Sequence, residues 1–538
     1  MDESVRCSRS SGILAHITSL PSPYGIGDMG SGTANFLQFL ARSGQSILQI
    51  LPLGPTHPAF SNSPYMTVSA FAGNPLIISP ELLREEGLLS ANELKEILKD
   101  LPDLSVYTVD FDAVTHLKTA VLNQAFSRFT PEQDPLFQQF VEESPWLPDY
   151  CLFMALKSRF QDTAWYQWPQ ALAKRDHEAL LQAATQMQRQ ISFFQFEQYI
   201  FFRQWQQIRR QARELNIELF GDIPIYVSLD SADVWANQNI FQLDDTTLLP
   251  THVAGVPPDY FSDTGQKWGN PLYRWNSKDS DTEEALLHWW CARFTAVFRQ
   301  VDIARIDHFR GFQAYWSIPA DDETALNGEW RQGPGAAFFK TVFDRLGPLK
   351  IVAEDLGEIT EDVIALRQDL GFPGMKILQF AFDGDHSNSF LPHNFESSNF
   401  FVYTGTHDNN TTVGWYLSDR IDEGIRRQVK TIVNREDDEV HGIHRDLIHQ
   451  AMSSTAVVSI YPLQDVLGFG GDCRMNMPGT DEGNWRWRCS TEFLSEDVAW
   501  WLHDLTHTFN RIPPQPGIPP STAEGDEEIL SKTEETKS

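Results

Sequence analysis

Residues 302–309 read DIARIDHF, a short apolar run that ends in polar side chains, and this stretch sets a pattern for the whole chain. Seven other segments repeat the pattern, each an apolar or β-branched run followed by Gly, Pro or polar residues. Short runs of this kind are typical of buried β-strands. The seven are GILAHITSL (12–20), SILQILPL (46–53), ELFGDIPIYV (218–227), KIVAEDL (350–356), KILQF (376–380), FVYTGTHD (401–408) and VVSIYPL (457–463).

Segments in which apolar residues have helical spacing lie between several of these runs. Strands that are apolar on both faces and alternate with helices predict a closed parallel barrel rather than a sandwich. We therefore predict the α/β class and a (β/α)8 TIM-type barrel. The clearest helical segments are TANFLQFLARSG (33–44), LLHWWCARFTAVFRQ (286–300) and AAFFKTVFDRLG (336–347).

Two gaps between the predicted strands are too long for ordinary barrel loops. Residues from about 66 to 215 are rich in Gln, Leu and Ala and predict a helical subdomain, whereas residues from about 230 to 285 predict an aromatic loop region. Loops of such length are usually functional. We expect the barrel and both insertions to span residues 1–520, and the polar, acidic residues 521–538 predict a disordered tail.

The charge balance limits the class of ligand. The chain has 42 Lys and Arg against 73 Asp and Glu, which gives a formal net charge of −31. Such a field repels phosphate backbones and anionic membrane surfaces, so neither nucleic acids nor membranes are expected partners. A neutral, hydroxyl-rich ligand fits better, because 16 Trp and 13 Tyr offer flat faces for sugar rings, although most such aromatic residues pack in cores.

The start of the chain, MDESVRCSRSSG, lacks the apolar stretch of a secretion signal, and no segment has eighteen uninterrupted apolar residues. Five Cys at wide spacings, with no CxxC pair, predict unpaired thiols in a reducing compartment. We expect a cytoplasmic protein, or one of the plastid stroma if the source is a plant. No residue cluster has metal-ligand spacing, so no metal or other cofactor is expected.

One motif suggests a different function. Gly25, Gly27 and Gly30 spell GxGxxG after an apolar run and before a helix, the outline of a dinucleotide-binding turn. Pro21 and Pro23 interrupt the tight turn that such a site needs, and the next predicted strand has no acidic residue for a ribose hydroxyl. We therefore interpret the glycines as loop-building residues.

Acidic residues follow four of the predicted strands. Asp222 follows ELFG, Asp307 follows DIARI, Glu354 follows KIVA and Asp408 follows FVYTGTH. Catalytic groups of a barrel project from the carboxyl ends of its strands, where the βα loops converge. A single Asp in such a place is more often a helix cap or a loop residue. Carboxylates at four strand ends favour a catalytic site.

Strand alternation relates these acids to their neighbours. Arg305 and Asp307 are two residues apart, so their side chains point to the same side, where the guanidinium would keep Asp307 ionised or form a purely structural ion pair. Glu354 and Asp355 point to opposite sides, and periodicity does not tell which of them faces the active centre. Glycoside cleavage needs one carboxylate to attack or stabilise the anomeric carbon and one protonated carboxyl to donate to the leaving oxygen.

These motifs and their neighbours carry a family resemblance. From about residue 12 to residue 488 the sequence resembles the 4-α-glucanotransferases of the amylomaltase or disproportionating-enzyme type, within the α-amylase clan. The resemblance implies transfer of α-1,4-glucan segments through a covalent glucosyl-enzyme intermediate, and a barrel with no separate C-terminal β-domain. It rests on GILAHITSLPSPYGIGD (12–28), SPY (63–65), SAFAGNP (69–75), GDIPIYV (221–227), VAGVPPDYFSDTGQKWGNPLYRW (253–275), ARIDHFRGF (304–312), AEDLG (353–357), GTHDN (405–409), PLQD (462–465), RMNMPGT (474–480) and EGNWRWR (482–488).

The resemblance also implies a role for each matched acid. Asp307 corresponds to the nucleophile, Glu354 to the general acid and base, and Asp408 to the carboxylate that distorts and steadies the sugar. Asp307 must then be ionised, and Glu354 must begin protonated, with a pKa raised by poor solvation and nearby negative charge. Asp222 is expected to support the site rather than take part in the chemistry. The residues expected to bind substrate or border it are Tyr65, Asp222, Tyr260, Phe261, Gln266, Trp268, Arg305, His308 and His407.

The implied substrates are malto-oligosaccharides and α-glucans, with glucose as one acceptor. The aromatic segment 257–269 resembles a family loop that could cover the intermediate and favour the acceptor over water. The sequence leaves the oligomeric state open. Two alternatives are an α-amylase-like hydrolase with the same acids and, in another class, a non-catalytic glucan-binding protein. The presence of all three acids argues against the second.

Overall fold

The computed structural model describes residues 7–99, 101–258, 262–436, 440 and 442–512. Eight parallel strands form one sheet and coincide with the eight runs predicted from the sequence, and four further strands form a second sheet. In chain order the strands are β1 (Ser10–Leu14), β2 (Ile47–Gln49), β3 (Glu218–Pro224), β4 (His252–Val256), β5 (Gln266–Pro271), β6 (Ile303–Asp307), β7 (Ala314–Pro319), β8 (Glu329–Gln332), β9 (Ile351–Ala353), β10 (Gly374–Ile377), β11 (Phe400–Tyr403) and β12 (Val458–Pro462).

The eight-stranded sheet closes on itself as the predicted (β/α)8 barrel. Its hydrogen-bonded order is β10, β11, β12, β1, β2, β3, β6 and β9, so β1 lies beside β12. The two ends of this order also meet, because the N–H of Ala353 in β9 donates to the carbonyl of Pro373, next to β10, at 2.9 Å. The predicted fold class is confirmed.

Large apolar side chains fill the inside of the barrel, which is a packed core and not a pore. Phe220 of β3 and Phe401 of β11 belong to strands that are not neighbours, yet their ring centroids lie 5.3 Å apart, so the rings meet inside the barrel. Both side chains are fully buried. This core fixes the strand ends from which the polar residues of the site project.

Helices surround the barrel and fill the long connection between β2 and β3. Segments predicted as helical from apolar spacing coincide with the first, eleventh and twelfth helices. The α-helices of the described residues are α1 (Ser31–Arg42), α2 (Pro80–Glu85), α3 (Ala91–Lys99), α4 (Phe111–Phe126), α5 (Pro135–Glu142), α6 (Leu147–Arg159), α7 (Gln170–Ala173), α8 (His177–Gln186), α9 (Gln188–Glu214), α10 (Ala232–Ala236), α11 (Ser280–Phe298), α12 (Gly335–Leu346), α13 (Glu361–Leu370), α14 (Thr412–Tyr416), α15 (Glu423–Val433), α16 (Ile443–Ser453), α17 (Leu463–Leu467) and α18 (Glu496–Thr508).

The long helix α9 holds the segment that follows the SPY motif. Gln198 of α9 accepts a hydrogen bond from the N–H of Gly73 at 2.7 Å and donates to its carbonyl at 3.0 Å. Gln204, also on α9, makes the same pair of bonds with Ser79, at 2.7 and 3.2 Å. Buried amides that lost these partners would destabilise the fold. The helical insertion therefore fixes the path of the chain just after Tyr65.

The second sheet is antiparallel, in the order β5, β4, β7 and β8. Its strands β4 and β5 lie in the region predicted as an aromatic loop, and this sheet was not predicted. The reason is local, because β5 reads QKWGNP and contains a Gly and a Pro, which weaken the usual pattern of a strand. The sheet carries Gln266 and Trp268 on β5.

The glycines of the GxGxxG motif serve close packing of the chain on itself. The N–H of Gly27 donates to the carbonyl of Thr18 at 2.8 Å, and a Cβ at Gly27 would lie 1.9 Å from the carbonyl oxygen of Ile17. No larger residue fits there without a shift of the backbone. These contacts account for the glycine without a nucleotide.

Arg511 joins the segment after α18 to the junction between β1 and β12. Its buried guanidinium donates to the carbonyls of Ser10 and Met452, each at 2.9 Å, and of Ala456 at 3.0 Å. A buried guanidinium is tolerated only where its N–H groups find acceptors. These bonds tie the start of β1 and the residues before β12 to one side chain.

All five cysteines are unpaired, as predicted. Among the described helices, none combines the length and the apolar character needed to cross a membrane. Within the described residues, no group of three or more His, Cys, Asp and Glu side chains is placed to hold a metal ion. The predicted tail 521–538 lies outside the described residues, as do Tyr260 and Phe261. The boundaries given for the two insertions stay predictions.

Candidate active site

The carboxyl ends of neighbouring barrel strands bring the predicted acids together. β3 and β6 pair in a register that sets Asp222 opposite Arg305. The last paired residues of β6 and β9 are Ile306 and Ala353, each directly before an acid. Asp307 and Glu354 therefore lie at adjoining strand ends. Asp408 lies on the loop that follows β11. The barrel topology thus gathers side chains that are far apart in the sequence.

Arg305 is the positive centre of this group. Its Nε donates to Oδ2 of Asp222 at 2.9 Å, and its Nη2 donates to Oδ1 of Asp307 at 2.6 Å. The hydroxyl of Tyr65 donates to the same Asp222 oxygen at 2.7 Å. The Asp222 side chain is 0% exposed, so its carboxylate supports Arg305 and Tyr65 and has no open face for a ligand.

The Asp307 carboxyl lies at the boundary between this buried group and solvent, with its side chain 32% exposed. Burial raises the pKa of Asp307 to about 6, and the positive charge of Arg305 opposes the rise. The ion pair with Arg305 predicted an ionised Asp307, but the effect of burial on the pKa is larger than that of the guanidinium. Asp307 is still mainly ionised at neutral pH, because its pKa lies below 7.

Both carboxyl oxygens of Glu354 are held by backbone N–H groups. Oε2 accepts from His308 at 2.7 Å, and Oε1 accepts from Leu356 at 3.0 Å. His308 has a left-handed backbone, with φ of 51° and ψ of 49°, which is costly for a residue other than glycine. Burial and then the negative charge of Asp307 raise the pKa of Glu354 to about 8. Glu354 is therefore mainly protonated at neutral pH.

Asp355 points away from this group. Its Oδ2 lies 3.0 Å from Nε of Arg367 in α13, and its Oδ1 accepts from the N–H of Met375 in β10 at 2.7 Å. Asp355 therefore braces β9 against its neighbours, while Glu354 is the carboxyl beside Asp307. The opposite directions of the two side chains follow from strand alternation.

Asp408 is held by two polar neighbours. Its Oδ1 accepts from Nδ2 of Asn476 at 2.6 Å, and its Oδ2 lies 3.2 Å from Nε2 of His407. Burial alone would raise the pKa of Asp408, but the charge of His407 and the hydrogen bonds from His407 and Asn476 hold it well below its usual range. The side chain is 46% exposed, so an ionised carboxylate is open to a ligand.

Tyr65 connects the two halves of the site. Its ring stacks on His407, with centroids 5.0 Å apart and 11° between the planes, and lies 5.9 Å from the ring of Trp485. Its hydroxyl binds Asp222, as described above. Burial raises the pKa of Tyr65 well above its usual value, so the hydroxyl stays a neutral donor. One face of the ring is covered by His407 and is not available to a sugar.

The aromatic side of the site is formed by Trp268 and His308, whose rings meet edge to face with centroids 4.9 Å apart. Nε1 of Trp268 donates to Oε1 of Gln266 at 3.2 Å. Burial lowers the pKa of His308 to about 4, so its ring is neutral at physiological pH. β5 thus brings two of the predicted substrate-binding residues next to the residue that follows Asp307.

Three residues of the site were not predicted. Asn476 binds the Asp408 carboxylate, the guanidinium of Arg474 donates to the carbonyl of Asp408, and Trp485 lies 5.9 Å from the ring of His407. They belong to RMNMPGT and EGNWRWR, two segments that carry the family resemblance. Polar and aromatic residues in these segments were the available signal, but the sequence does not tell that both segments return to the β11 loop.

The chain is similar to known proteins over nearly its whole length. A sequence model of a family described as 4-alpha-glucanotransferase matches residues 15–494. The chain belongs to the 4-α-glucanotransferase family. It is 47% identical over 511 residues to the 4-alpha-glucanotransferase of Synechocystis sp., and the match covers 94% of this chain and 98% of that protein. It is 41% identical over 517 residues to the chloroplastic/amyloplastic 4-alpha-glucanotransferase of Solanum tuberosum, covering 94% and 87%.

Solved structures agree with this assignment. The amylomaltase from Streptococcus agalactiae in complex with acarbose superposes with a TM-score of 0.88 at 36% identity, covering 94% of this chain and 99% of that one. The amylomaltase from Corynebacterium glutamicum, at 17% identity and a TM-score of 0.71, shares the fold. This family member is thus a transglycosylase acting on α-1,4-glucans, and the predicted enzyme class and family are confirmed.

The transfer reaction of this family member is expected to show a bell-shaped pH dependence. With the roles predicted from the sequence, the active form has an ionised Asp307 and a protonated Glu354, whose pKa values are about 6 and about 8. Activity should therefore fall below about pH 6 and above about pH 8, and the two apparent values belong to the interacting pair. The measurement is kcat/KM for maltotriose at constant ionic strength. A profile without an alkaline limb would contradict the assignment of Glu354 as the acid.

Proposed function

We propose that this enzyme transfers α-1,4-glucan segments to glucose or another glucan by a retaining double displacement. Asp307 is the nucleophile, Glu354 the general acid and base, and Asp408 the carboxylate that steadies the reacting sugar. The observation that carries the proposal is the placement of Asp307 and Glu354 at adjoining strand ends, and a pKa below 7 for the first and above 7 for the second supports their different roles. Retaining enzymes use such a pair, with the two carboxyl groups about 5–5.5 Å apart.

In the first step, Asp307 attacks the anomeric carbon of the donor, and the bond from that carbon to the glycosidic oxygen breaks. Glu354 gives its proton to that oxygen, which leaves as the 4-hydroxyl of the reducing-end fragment. The products are a glucosyl ester on Asp307 and an ionised Glu354. Arg305, 2.6 Å from Asp307 Oδ1, orients the attacking carboxylate.

In the second step, the 4-hydroxyl of an acceptor attacks the anomeric carbon, and Glu354 takes up its proton. The ester bond breaks, which restores ionised Asp307 and forms a new α-1,4 bond. The negative charge of Asp307 is absent from the ester, so one cause of the raised pKa of Glu354 is removed. The pKa of Glu354 is therefore lower while the ester exists, so its carboxyl stays ionised and is ready to take the proton of the acceptor.

Asp408 is suited to the transition state, in which the sugar ring gains positive charge. His407 and Asn476 hold its carboxylate in place and keep it ionised. A fixed negative charge near a developing positive charge lowers the barrier without reorganisation at the moment of reaction. Since Asp408 is partly exposed, the sugar can reach it directly.

Transfer requires that a sugar hydroxyl reach the intermediate before water does. Trp268 and the neutral ring of His308 form an aromatic wall near Glu354, since the backbone N–H of His308 binds the Glu354 carboxyl. The segment 257–269, which contains Tyr260 and Phe261, is proposed to cover the acceptor. We expect glucose and the nonreducing ends of malto-oligosaccharides to be the acceptors.

The product profile from pure maltotriose is expected to separate transfer from hydrolysis. Transfer gives glucose and a series of longer dextrins at a constant number of reducing ends, and added radiolabelled glucose enters the series. Hydrolysis raises the number of reducing ends. The measurement is chromatography of the products beside a reducing-end assay, with a hydrolytic α-amylase as control. A rise in reducing ends equal to the glucose released would overturn the proposal in favour of the hydrolase.

A reducing compartment, the cytoplasm or the plastid stroma, remains our expectation for the site of action. The five unpaired cysteines support it, because thiols of this kind persist where disulfides are kept reduced. A chloroplastic or amyloplastic location is stated for the Solanum tuberosum relative alone. Fractionation of the source cells tests the expectation.

A further inference from the structure

The segment PLQD (462–465) carries the family resemblance, yet none of its residues has a part in the chemistry described above. Its last residue, Asp465, lies in α17 and is 1% exposed. Oδ2 of Asp465 accepts from the hydroxyls of Thr404 at 2.6 Å and Thr412 at 2.8 Å. Oδ1 accepts from the backbone N–H of Thr412 at 2.6 Å. One buried carboxyl thus receives three short hydrogen bonds from two residues.

The two threonines flank the loop that carries Asp408. Thr404 directly follows β11, and Thr412 is the first residue of α14, so residues 405–411 form the loop between them. Both threonines are fully buried. Asp465 therefore joins the two ends of the loop, and it does so from a different strand-to-helix connection, the one after β12.

Other contacts also hold the loop. Oδ1 of Asn409 accepts from both the N–H and the hydroxyl of Thr406 at 2.8 Å, which stiffens the loop from within. The backbone N–H of Gln379 donates to the carbonyl of Thr404 at 3.3 Å, and its Nε2 donates to the carbonyl of Asn410 at 2.8 Å. Asn476 holds the Asp408 carboxylate itself. Asp465 and Gln379 thus both tie the two ends of the loop, and Asp465 does so through the side chains of the flanking Thr404 and Thr412.

A carboxyl in this position is costly to bury unless its oxygens are hydrogen-bonded. Burial raises the pKa of Asp465, and the three hydrogen bonds from Thr404 and Thr412 oppose the rise. An apolar side chain of similar size would fill the space without this cost. The free-energy cost of burying the Asp465 carboxyl is explained if the geometry of the 405–411 loop depends on its hydrogen bonds.

We infer that Asp465 is a positioning residue for Asp408, acting by joining the ends of the 405–411 loop. The inference rests on the proposed role of Asp408 in steadying the reacting sugar. Asp465 does not touch the substrate, and its contribution reaches the sugar through Thr404, Thr412 and the loop between them. A misplacement of about 1 Å in a reacting or binding group can cost roughly 10²-fold in rate.

Three variants separate the hydrogen bonds from the charge. Asp465→Ala removes all three bonds and should lower kcat roughly 10²-fold with a smaller change in KM. Asp465→Asn keeps an oxygen for the N–H of Thr412, and its amide can donate to the threonine hydroxyls, which then act as acceptors. It should recover activity to within about 10-fold of the wild type. Thr404→Val removes one bond at nearly constant volume and should fall between the two.

A double-mutant cycle with Asp408→Asn distinguishes positioning from a general loss of structure. The readouts are the dissociation constant of acarbose, measured by calorimetry, and the rate of transfer from maltotriose. Asp465→Ala should weaken acarbose binding about 10-fold or more in the wild type but less than about 2-fold in the Asp408→Asn background. A buried-carboxylate control, Asp28→Ala, removes the ionic partner of Lys118, changes no residue of the 405–411 loop and should act equally in both backgrounds.

The outcomes separate the two ideas. Equal losses from Asp465→Ala in both backgrounds would overturn the positioning role and leave the proposed function untouched. If Asp408→Asn itself binds acarbose and transfers glucan like the wild type, the role proposed for Asp408 fails instead. If Asp465→Asn were no more active than Asp465→Ala, Asp465 would not act through its hydrogen bonds. This result would also overturn the inference. Thermal unfolding of each variant reports whether it is folded under the assay conditions.

Discussion

Replacement of Asp307 by Asn is expected to lower kcat for transfer by roughly 10⁴–10⁶-fold, the loss seen when a nucleophile is removed from an enzyme. The amide has the shape of the carboxylate but cannot form the ester. The fold should persist, because Arg305 keeps its bond to Asp222 at 2.9 Å and is not left as an unpaired buried charge. The measurement is the release of glucose from maltotriose, followed until slow turnover is resolved.

Substrate binding provides the control for this variant. Asp307→Asn should bind malto-oligosaccharides within about 10-fold of the wild type, since the sugar contacts proposed for His407, Asp408 and Trp268 are unchanged. The pKa of Glu354 should also fall in the variant, because the negative charge of Asp307 is one of the causes that raise it. If Asp307→Asn turned over like the wild type, Asp307 would not be the nucleophile, and the reaction would use a different nucleophile or no covalent step. An equally inactive wild type that still bound the sugar would favour the glucan-binding alternative.

Replacement of Glu354 by Gln is expected to lower kcat for maltotriose by roughly 10²–10⁴-fold, the usual contribution of a general acid. The loss should depend on the leaving group. With α-maltosyl fluoride as donor, fluoride departs without a proton, so the first step should recover while the second still lacks its base. Added azide needs no base and should then give maltosyl azide with retained configuration. The measurement is fluoride release and azide product formation in parallel.

The neighbouring residue offers a matched control. Asp355→Asn makes the same chemical change one position away, on the opposite side of β9, where the carboxylate binds Arg367 and the N–H of Met375. It should retain transfer within about 3-fold of the wild type, and its cost should appear as a lower unfolding temperature because the buried Arg367 loses an ionic partner. Equal losses in Asp355→Asn and Glu354→Gln would contradict the assignment of Glu354.

Much of the framework could be predicted because its causes are local or general. Apolar runs with polar ends mark buried strands, and catalytic groups of a barrel follow the carboxyl ends of such strands, so Asp307, Glu354 and Asp408 stood out. Alternation along a strand placed Arg305 beside Asp307 and separated Glu354 from Asp355. The family resemblance then chose between the last two, which periodicity could not do.

The rest depends on which parts of the chain meet in space. Asn476 reaches Asp408, and Asp465 reaches Thr404 and Thr412, through folding of segments that show no period of their own. The pKa of Asp307 depends on how much protein surrounds it, so burial could outweigh Arg305 although the sequence showed only the ion pair. The antiparallel sheet escaped prediction because β5 contains residues that usually interrupt strands.

The pairing of β1 with β12 also has a consequence for biosynthesis. Ser10 emerges from the ribosome long before its partner Val458, by roughly 20–90 s at 5–20 residues per second. During that interval one edge of β1 has no neighbour, and an open edge is a template for association with other chains. Arg511, which holds the start of β1, is translated later still. The barrel therefore cannot close until β12 has been synthesised. Protection of the open edge of β1 by chaperones is most needed in this period.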